Sequence, residues 1–386
     1  MPRAPRFKYR AAGLEAAIIP LYVGIVGLCV GSFCNVVIGR LPDDGDDPKL
    51  ADAWFSFARL KRLAWPPSRC PHCGHQIRWY ENVPVLSWLG LRGKCSSCKK
   101  PISPRYLLIE LLMGALYLAA YARFGLSWEL ASALVFFTFL VPLIFIDAEL
   151  WILPFELTLP GIALGIAMSP LLGPGALERS VLGAALGFIA FRVMEFAGWF
   201  ATSRKEKDEK GVERRVGLEA LGMGDKYLLA MIGAQVGWRP LLLVILFSSV
   251  QGAVVGLVRM KLTGRAGPED EKNDEKKEEK KGADEEEEDD EPPRYPFTPS
   301  FLAPGLPLWK RLALVPVTLL IQDIPDSPPA DESTGDVPDW EPQSNNLPFG
   351  PWIGLAGVEV MLLSTWMLER SVDTQYELVT NLLLGG

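Results

Sequence analysis

The stretch SWELASALVFFTFLVPLIFIDAELWILP, residues 127–154, decides the fold. Between Glu129 and Asp147 it carries no charge. A helix rises 1.5 Å per residue, so about 20 apolar residues cross a hydrocarbon core about 30 Å thick. The span predicted here is 127–146. Comparable runs lie at 14–38, 105–124, 155–173, 177–200, 226–237, 239–260 and 350–369. The expected fold is an all-α polytopic membrane protein with about eight transmembrane helices. The 226–237 run is short. Its helix reaches about 18 Å, less than the full core, and Gly237-Trp238-Arg239-Pro240 turns it into the next run.

Composition agrees once it is read locally. The chain has 386 residues, 49% of them hydrophobic, and a net charge of −7. Apolar runs of this length exclude a soluble globular enzyme, a disordered chain and a disulfide-stapled secreted domain. The negative charge is concentrated in residues 269–291, which hold 15 acids and 5 bases; the rest has 31 acids and 34 bases. Neither balance calls for a nucleic-acid partner. The loop 39–104 carries 11 Lys and Arg, and the loop 201–224 carries six. The opposite loops carry about one each, Arg123, Arg179 and Arg239, so the two basic loops are expected in the cytoplasm. The four basic residues before Gly13 then fall outside, and the two long loops outweigh them. The apolar stretch from Gly13 to Ile38 exceeds a signal-peptide core of about 7–15 residues and reads as a retained first span.

Five regions follow. Residues 1–38 form a tail and the first span, 39–104 a small cytoplasmic zinc-binding domain, and 105–260 the membrane-embedded core. Residues 261–349 form an acidic, Pro-rich insertion expected to be largely disordered, and 350–386 the last span and tail. Within the insertion, Leu306 to Gln322 is an apolar island suited to a surface helix, which Pro307 and Pro316 should keep short.

Four of the six cysteines, Cys70, Cys73, Cys95 and Cys98, form two C-x2-C pairs. In a reducing compartment this spacing reads as a closed, structural zinc ribbon, because four thiolates leave no open coordination position. His72 and His75 flank the first pair and read as surface residues, and Cys29 and Cys34 as core residues of the first span.

Two acids stand out by position. Asp147 closes the third span, and Asp225 opens the sixth after GLEALGMG. A charge at the centre of a membrane helix costs about 2.5–3.5 kcal/mol, less near the interface, so each acid needs a reason. Each has a plain reading as an interfacial cap. Together, at one face, they offer hydrolysis by an activated water, one carboxylate ionised and the other protonated. A helix start favours an anion and a helix end disfavours it, each by about 0.3–1 kcal/mol, so Asp225 is expected to be the more ionised member. Gly222 and Gly224 permit close backbone approach, although a bare GxGD is a weak pattern. Arg105 and Glu110 read either as a helix-end pair or as contacts to substrate or cofactor. Asn35 and Arg40 in GSFCNVVIGRLP read in the same two ways, and Glu195 as a satisfied packing residue.

In order along the chain, GSFCNVVIGRLP (31–42), SRCPHCGHQIRWYENVPVLSW (68–88), RGKCSSCKKPISPRYLLIELL (92–112), FIDAELWILPFELTLPG (145–161), GLEALGMGDKYLLAMIGAQVGW (217–238) and PFGPWIGLAG (348–357) resemble the bacterial type IV prepilin peptidases, the GxGD-type aspartic membrane proteases. That resemblance implies Asp147 and Asp225 as the catalytic pair, and Zn2+ on Cys70, Cys73, Cys95 and Cys98. It implies cleavage of the basic leader of type IV prepilins and type II secretion pseudopilin precursors, at the cytoplasmic face of the bacterial inner membrane. It also implies methylation of the new N-terminus with S-adenosylmethionine. Lys226 and Glu149 become active-site support: Glu149 keeps an acid common in the family, and Lys226 stands beside Tyr227, where the family has lysine. At Phe155 the family often has a further acid. The alternatives are a protease-only member, an inactive scaffold with a zinc ribbon, and an ion carrier; a carrier calls for acids near mid-membrane in several spans.

Overall fold

The computed structural model describes residues 15–42, 55–207, 213–217, 222, 224–263, 295–296, 300, 306–321 and 348–363. Helix α1 is Glu15–Arg40, α2 Phe57–Ala64, α3 Leu86–Gly90 and α4 Pro104–Phe124. Then come α5 (Trp128–Leu150), α6 (Phe155–Met168, continued by a 3-10 turn Ser169–Leu172) and α7 (Ala176–Thr202). After strands β1 (Arg204–Lys207) and β2 (Glu213–Gly217) follow α8 (Asp225–Val236) and α9 (Leu241–Thr263). Strand β3 (Tyr295–Pro296), α10 (Leu308–Ile321) and α11 (Gly350–Leu363) complete the described chain.

Six helical stretches among the described residues are long and apolar enough to cross a bilayer, within α1, α4, α5, α6 with its 3-10 turn, α7 and α9. The protein is a multi-pass membrane protein. Helices α8 and α11 are the shorter apolar members of the predicted set, and 364–369 of the last predicted span lie outside the described residues. Local chemistry sets the ends of α5. Ser127 Oγ accepts the Leu130 N–H at 3.2 Å at its start. At its end Trp151 adopts a left-handed conformation, φ 60°, and returns its N–H to Asp147 O.

A bilayer gives no hydrophobic reward for pressing one apolar helix onto another, so small residues decide who packs with whom. Helices α7 and α8 meet backbone to backbone: a Cβ at Gly183 would strike Gly233 O, and one at Gly187 would lie 2.6 Å from Leu229 O. Four-residue steps in opposite directions then set Phe191 level with Asp225. Helix α1 packs on α4 in the same way, with Gly31 against the Glu110 backbone. Helix α11 lies against Ile144 of α5 through Gly354 and against Ile232 of α8 through Gly357. The outer face is the reverse: Leu242, Leu246, Val250, Val254 and Leu257 of α9 form an exposed apolar strip suited to lipid.

Two expectations change, at Cys29 and at Pro316, and one element, a hairpin, was not foreseen. Cys34 is a core residue, but Cys29 is exposed, on the outward face of α1. The charged connector holds a hairpin: β1 pairs antiparallel with β2, and β3 from the insertion adds to β2 at Val216 and Gly217. The apolar island of the insertion is a single helix, α10, running through Pro316 and packed on α7. The acidic run 269–291 and both termini lie outside the described residues.

Candidate active site and cysteine cluster

Asp147 sits in the last turn of α5, and Asp225 is the first residue of α8. Both are buried, 6% and 5% exposed. Gly350, at the start of α11, lies between them. A methyl group placed there would collide with Asp147 Oδ2 and lie 3.1 Å from Asp225 Oδ1. One methyl would thus touch both carboxylates, which bounds their separation to two such contacts. The Gly350 N–H points at Asp147, and the Gly222 N–H at Asp225. Oδ2 of Asp147 is buried without a hydrogen-bond partner among the described residues. Two acids 78 positions apart in sequence therefore meet at one end of the bundle. Each occupies the helix end foreseen for it. Their equal burial and the negative Glu195 beside Asp225 mean that the helix dipole alone does not fix which of them holds the proton.

The residues around Asp225 are held tightly. A Cβ at Gly224 would come within 2.7 Å of Leu153 Cβ, so the chain ahead of α8 passes directly against the Leu153-Pro154 turn that follows α5. Gly222 is exposed, and its carbonyl accepts the Asp225 N–H at 3.2 Å. Lys226 is fully buried, with its ammonium 5.7 Å from the Tyr227 ring centroid. Glu195 is buried in an ion pair with Arg192 at 2.7 Å, and Arg192 also stacks over Phe196.

The other singled-out residues tie elements together. Arg105 pairs with Glu149, joining the start of α4 to the end of α5, and not with Glu110. Glu110 instead accepts the Val85 N–H at 2.7 Å from the cysteine loop. Asn35 donates to Gly31 O at 3.3 Å and Tyr106 O at 3.0 Å, bridging α1 and α4, while its Oδ1 is buried without a partner among the described residues. Arg40 donates to Arg62 O, Pro66 O and Ser68 Oγ, clamping the loop to the end of α1. Sequence reasoning missed two residues. Glu156, only 2% exposed, accepts from Ser56 N at 2.8 Å and Arg59 at 3.1 Å, fastening α2 to the start of α6. Its signal was the departure at Phe155: the acid stands one position later. Gly350 was quoted only as part of a motif, with nothing to pair it with the aspartates.

The four cysteines form a symmetric cluster. Their sulfurs lie within 4.8 Å of one another, with Cys70–Cys98 at 3.8 Å and Cys73–Cys95 at 4.0 Å. Four thiolates about 2.3 Å from a tetrahedral zinc ion stand about 3.8 Å apart, so the donor set fits that ion. Each pair sits on a matching turn: Cys70 N–H to His75 O with Gly74 at φ 68°, and Cys95 N–H to Lys100 O with Lys99 at φ 59°. The backbone N–H groups of Cys98 and Ser97 pull the Cys95 thiol down to about 6. Cys98 ends at about 11: the Lys100 N–H draws it down, but burial and the neighbouring thiols outweigh it. Bare thiols thus share protons unevenly, and a cation replaces those protons on binding. His72 is exposed, and His75 reaches Glu81 at 3.4 Å.

Beside Gly350, a cavity of about 210 Å³ is walled by Phe191, Met194, Leu229, Ile245, Phe349 and Ile353, with Ser248 and Ser249. It contains no acid or amide for the amino acid, ribose or adenine of S-adenosylmethionine, so it does not fit that molecule, and no described residue is assigned to it.

Two family models match the chain. One, described as the Bacterial Peptidase A24 N-terminal domain, matches residues 25–124; the other, described as the Type IV leader peptidase family, matches residues 134–257. A prepilin leader peptidase/N-methyltransferase of Myxococcus xanthus (strain DK1622) is 46% identical over 355 residues, 92% of this chain and 93% of that one. Proteins of the same description are 40% identical in Stutzerimonas stutzeri, over 62% of this chain and 80% of that one, and in Dichelobacter nodosus, over 64% and 83%. No solved structure matches the chain.

Proposed function

The chain belongs to the type IV leader peptidase family, and from that premise we propose that it hydrolyses the leader from type IV prepilins and pseudopilin precursors with Asp147 and Asp225 as a catalytic pair. The observation that carries this reading is Gly350, whose absent side chain leaves both carboxylates facing one small space. Two carboxyl groups this close do not both ionise readily. The ionised one takes a proton from water, and the hydroxide attacks the scissile carbonyl carbon. The protonated one donates to the carbonyl oxygen. When the tetrahedral adduct collapses, the C–N bond breaks and a proton passes to the departing amine. The apolar cavity next to Phe349 suits an apolar side chain beside the scissile bond. We place the site at the cytoplasmic face of the bacterial inner membrane, because the basic loops leave α1 and α7 on that side.

The relatives' description pairs the peptidase with an N-methyltransferase, and we extend methylation of the new N-terminus by S-adenosylmethionine to this chain. The decisive assay incubates purified protein with a prepilin and labelled S-adenosylmethionine, scoring leader loss and label transfer separately. Leader loss without label leaves a protease-only member; neither leaves a scaffold.

The cysteine cluster is assigned as a structural zinc site. A zinc ion there supplies cross-linking rather than catalysis, since all four positions are filled by thiolates. Paired Cys70→Ser and Cys73→Ser substitutions release the metal and open the loop 66–104, because binding free energies of about 10–16 kcal/mol are folding free energies in such modules. Unchanged metal content in the double variant, with the loop still resistant to limited proteolysis, refutes the assignment.

A further inference from the structure

Residues 79–90 of the cysteine loop form a 3-10 turn, Trp79–Asn82, packed against α3. Their apolar side chains point away from the domain: Trp79 is 82% exposed, Leu86 69% and Leu89 54%. Exposed apolar groups clustered in so short a stretch call for a covering surface.

One hydrogen bond fixes how deep this stretch sits. Val85 N donates to Glu110 Oε2 at 2.7 Å. Glu110 lies six residues past Pro104, about 9 Å along the axis of α4. Helix α4 has 21 residues and is about 32 Å long, so its first residue already stands at the edge of a core about 30 Å thick. The Arg105–Glu149 pair marks that edge. The Glu110 side chain leans back toward the start of α4, so this bond sets Val85 close to that edge. Backbone in that zone must satisfy its own polar groups. It does so here: Leu86 N bonds to Pro84 O, Ser87 N to Val83 O, Leu89 N to Val85 O and Leu91 N to Ser87 O. The Val85 N–H, at φ 63°, goes to Glu110. Leu108 and Leu111, on either side of Glu110, are themselves exposed, so the apolar surface of the loop continues that of the span. Exposed Arg78 precedes the stretch, and exposed Arg92 and Lys94 follow it.

We propose that residues 79–90 are a re-entrant segment whose Trp79, Leu86 and Leu89 insert among phospholipids, with Arg78, Arg92 and Lys94 at anionic headgroups. Glu110 is the hook that holds the segment at depth. Lipid is the occupant because an aromatic tip, leucines below it and cations flanking it match the order of an anionic leaflet from interface to acyl chains.

The test uses the full-length protein in nanodiscs containing phosphatidylglycerol. p-Benzoylphenylalanine replaces Leu86, Leu89 or, as the positive control on α4, exposed Leu118. After irradiation, intact-mass analysis is expected to show a shift of one phospholipid at 86 and at 89, as at 118. Glu110→Ala should abolish the adduct at 86 and keep that at 118, and Glu110→Gln, which retains an acceptor oxygen, should restore it. Adducts at 118 with none at 86 or 89 overturn the proposal. So does capture, at 86 and 89, of a prepilin or a second copy of the chain in place of lipid.

Discussion

Asp147→Asn or Asp225→Asn lowers leader cleavage by at least about 1,000-fold, while each variant stays in the membrane fraction with its metal bound. Asparagine keeps the shape and hydrogen-bonding reach of aspartate but neither takes a proton from water nor donates one as an acid. General acid–base contributions of about 10²–10⁴ are thus lost on each side of the pair. The two groups act as a unit, so the double variant falls no further than either single one. The check is a gel shift of a prepilin under single-turnover conditions. Cleavage by either variant within about tenfold of the parent removes the pair from the mechanism.

Gly350→Ala lowers cleavage by at least about 100-fold although it removes no ionisable group. The new methyl would occupy the space between the carboxylates, colliding with Asp147 Oδ2 and crowding Asp225 Oδ1 at 3.1 Å. A displacement of about 1 Å at reacting groups costs on the order of 100-fold. Alanine is a better helix former than glycine by about 1 kcal/mol, so α11 itself should not be weakened. Parental cleavage rates in this variant, with thermal stability also parental, would show that the space beside Gly350 is not where water and substrate meet.

The sequence made some features legible and hid others for physical reasons. Length and lack of charge mark a span without reference to any neighbour, so the apolar segments were readable one at a time. The cysteine spacing was equally local. Partners were not readable. Helix α5 is uncharged on every side between Glu129 and Asp147, so no polar face says which side meets which helix. The contact between α7 and α8 depends on Gly183, Gly187 and Gly233, whose information lies in what they lack. Arg105 had Glu110 within reach along its own helix, yet pairs with Glu149, because Glu110 is taken by Val85 from a separate loop. Gly350 stands 203 positions from Asp147, and no periodicity links them. Glu156 was hidden by a shift of one position from where an acid was sought.

Helix α8, which carries Asp225, has no exposed residue along its length, whereas α9 presents a whole strip outward. Extraction from the bilayer therefore affects the two unequally. A micelle that replaces the annular lipid meets α9 directly, whereas α8, with no exposed residue, stays behind its neighbours. Loss of activity on solubilisation, where it occurs, should start at the rim of the bundle and be reversible on adding lipid back, for as long as the glycine seam between α7 and α8 stays closed.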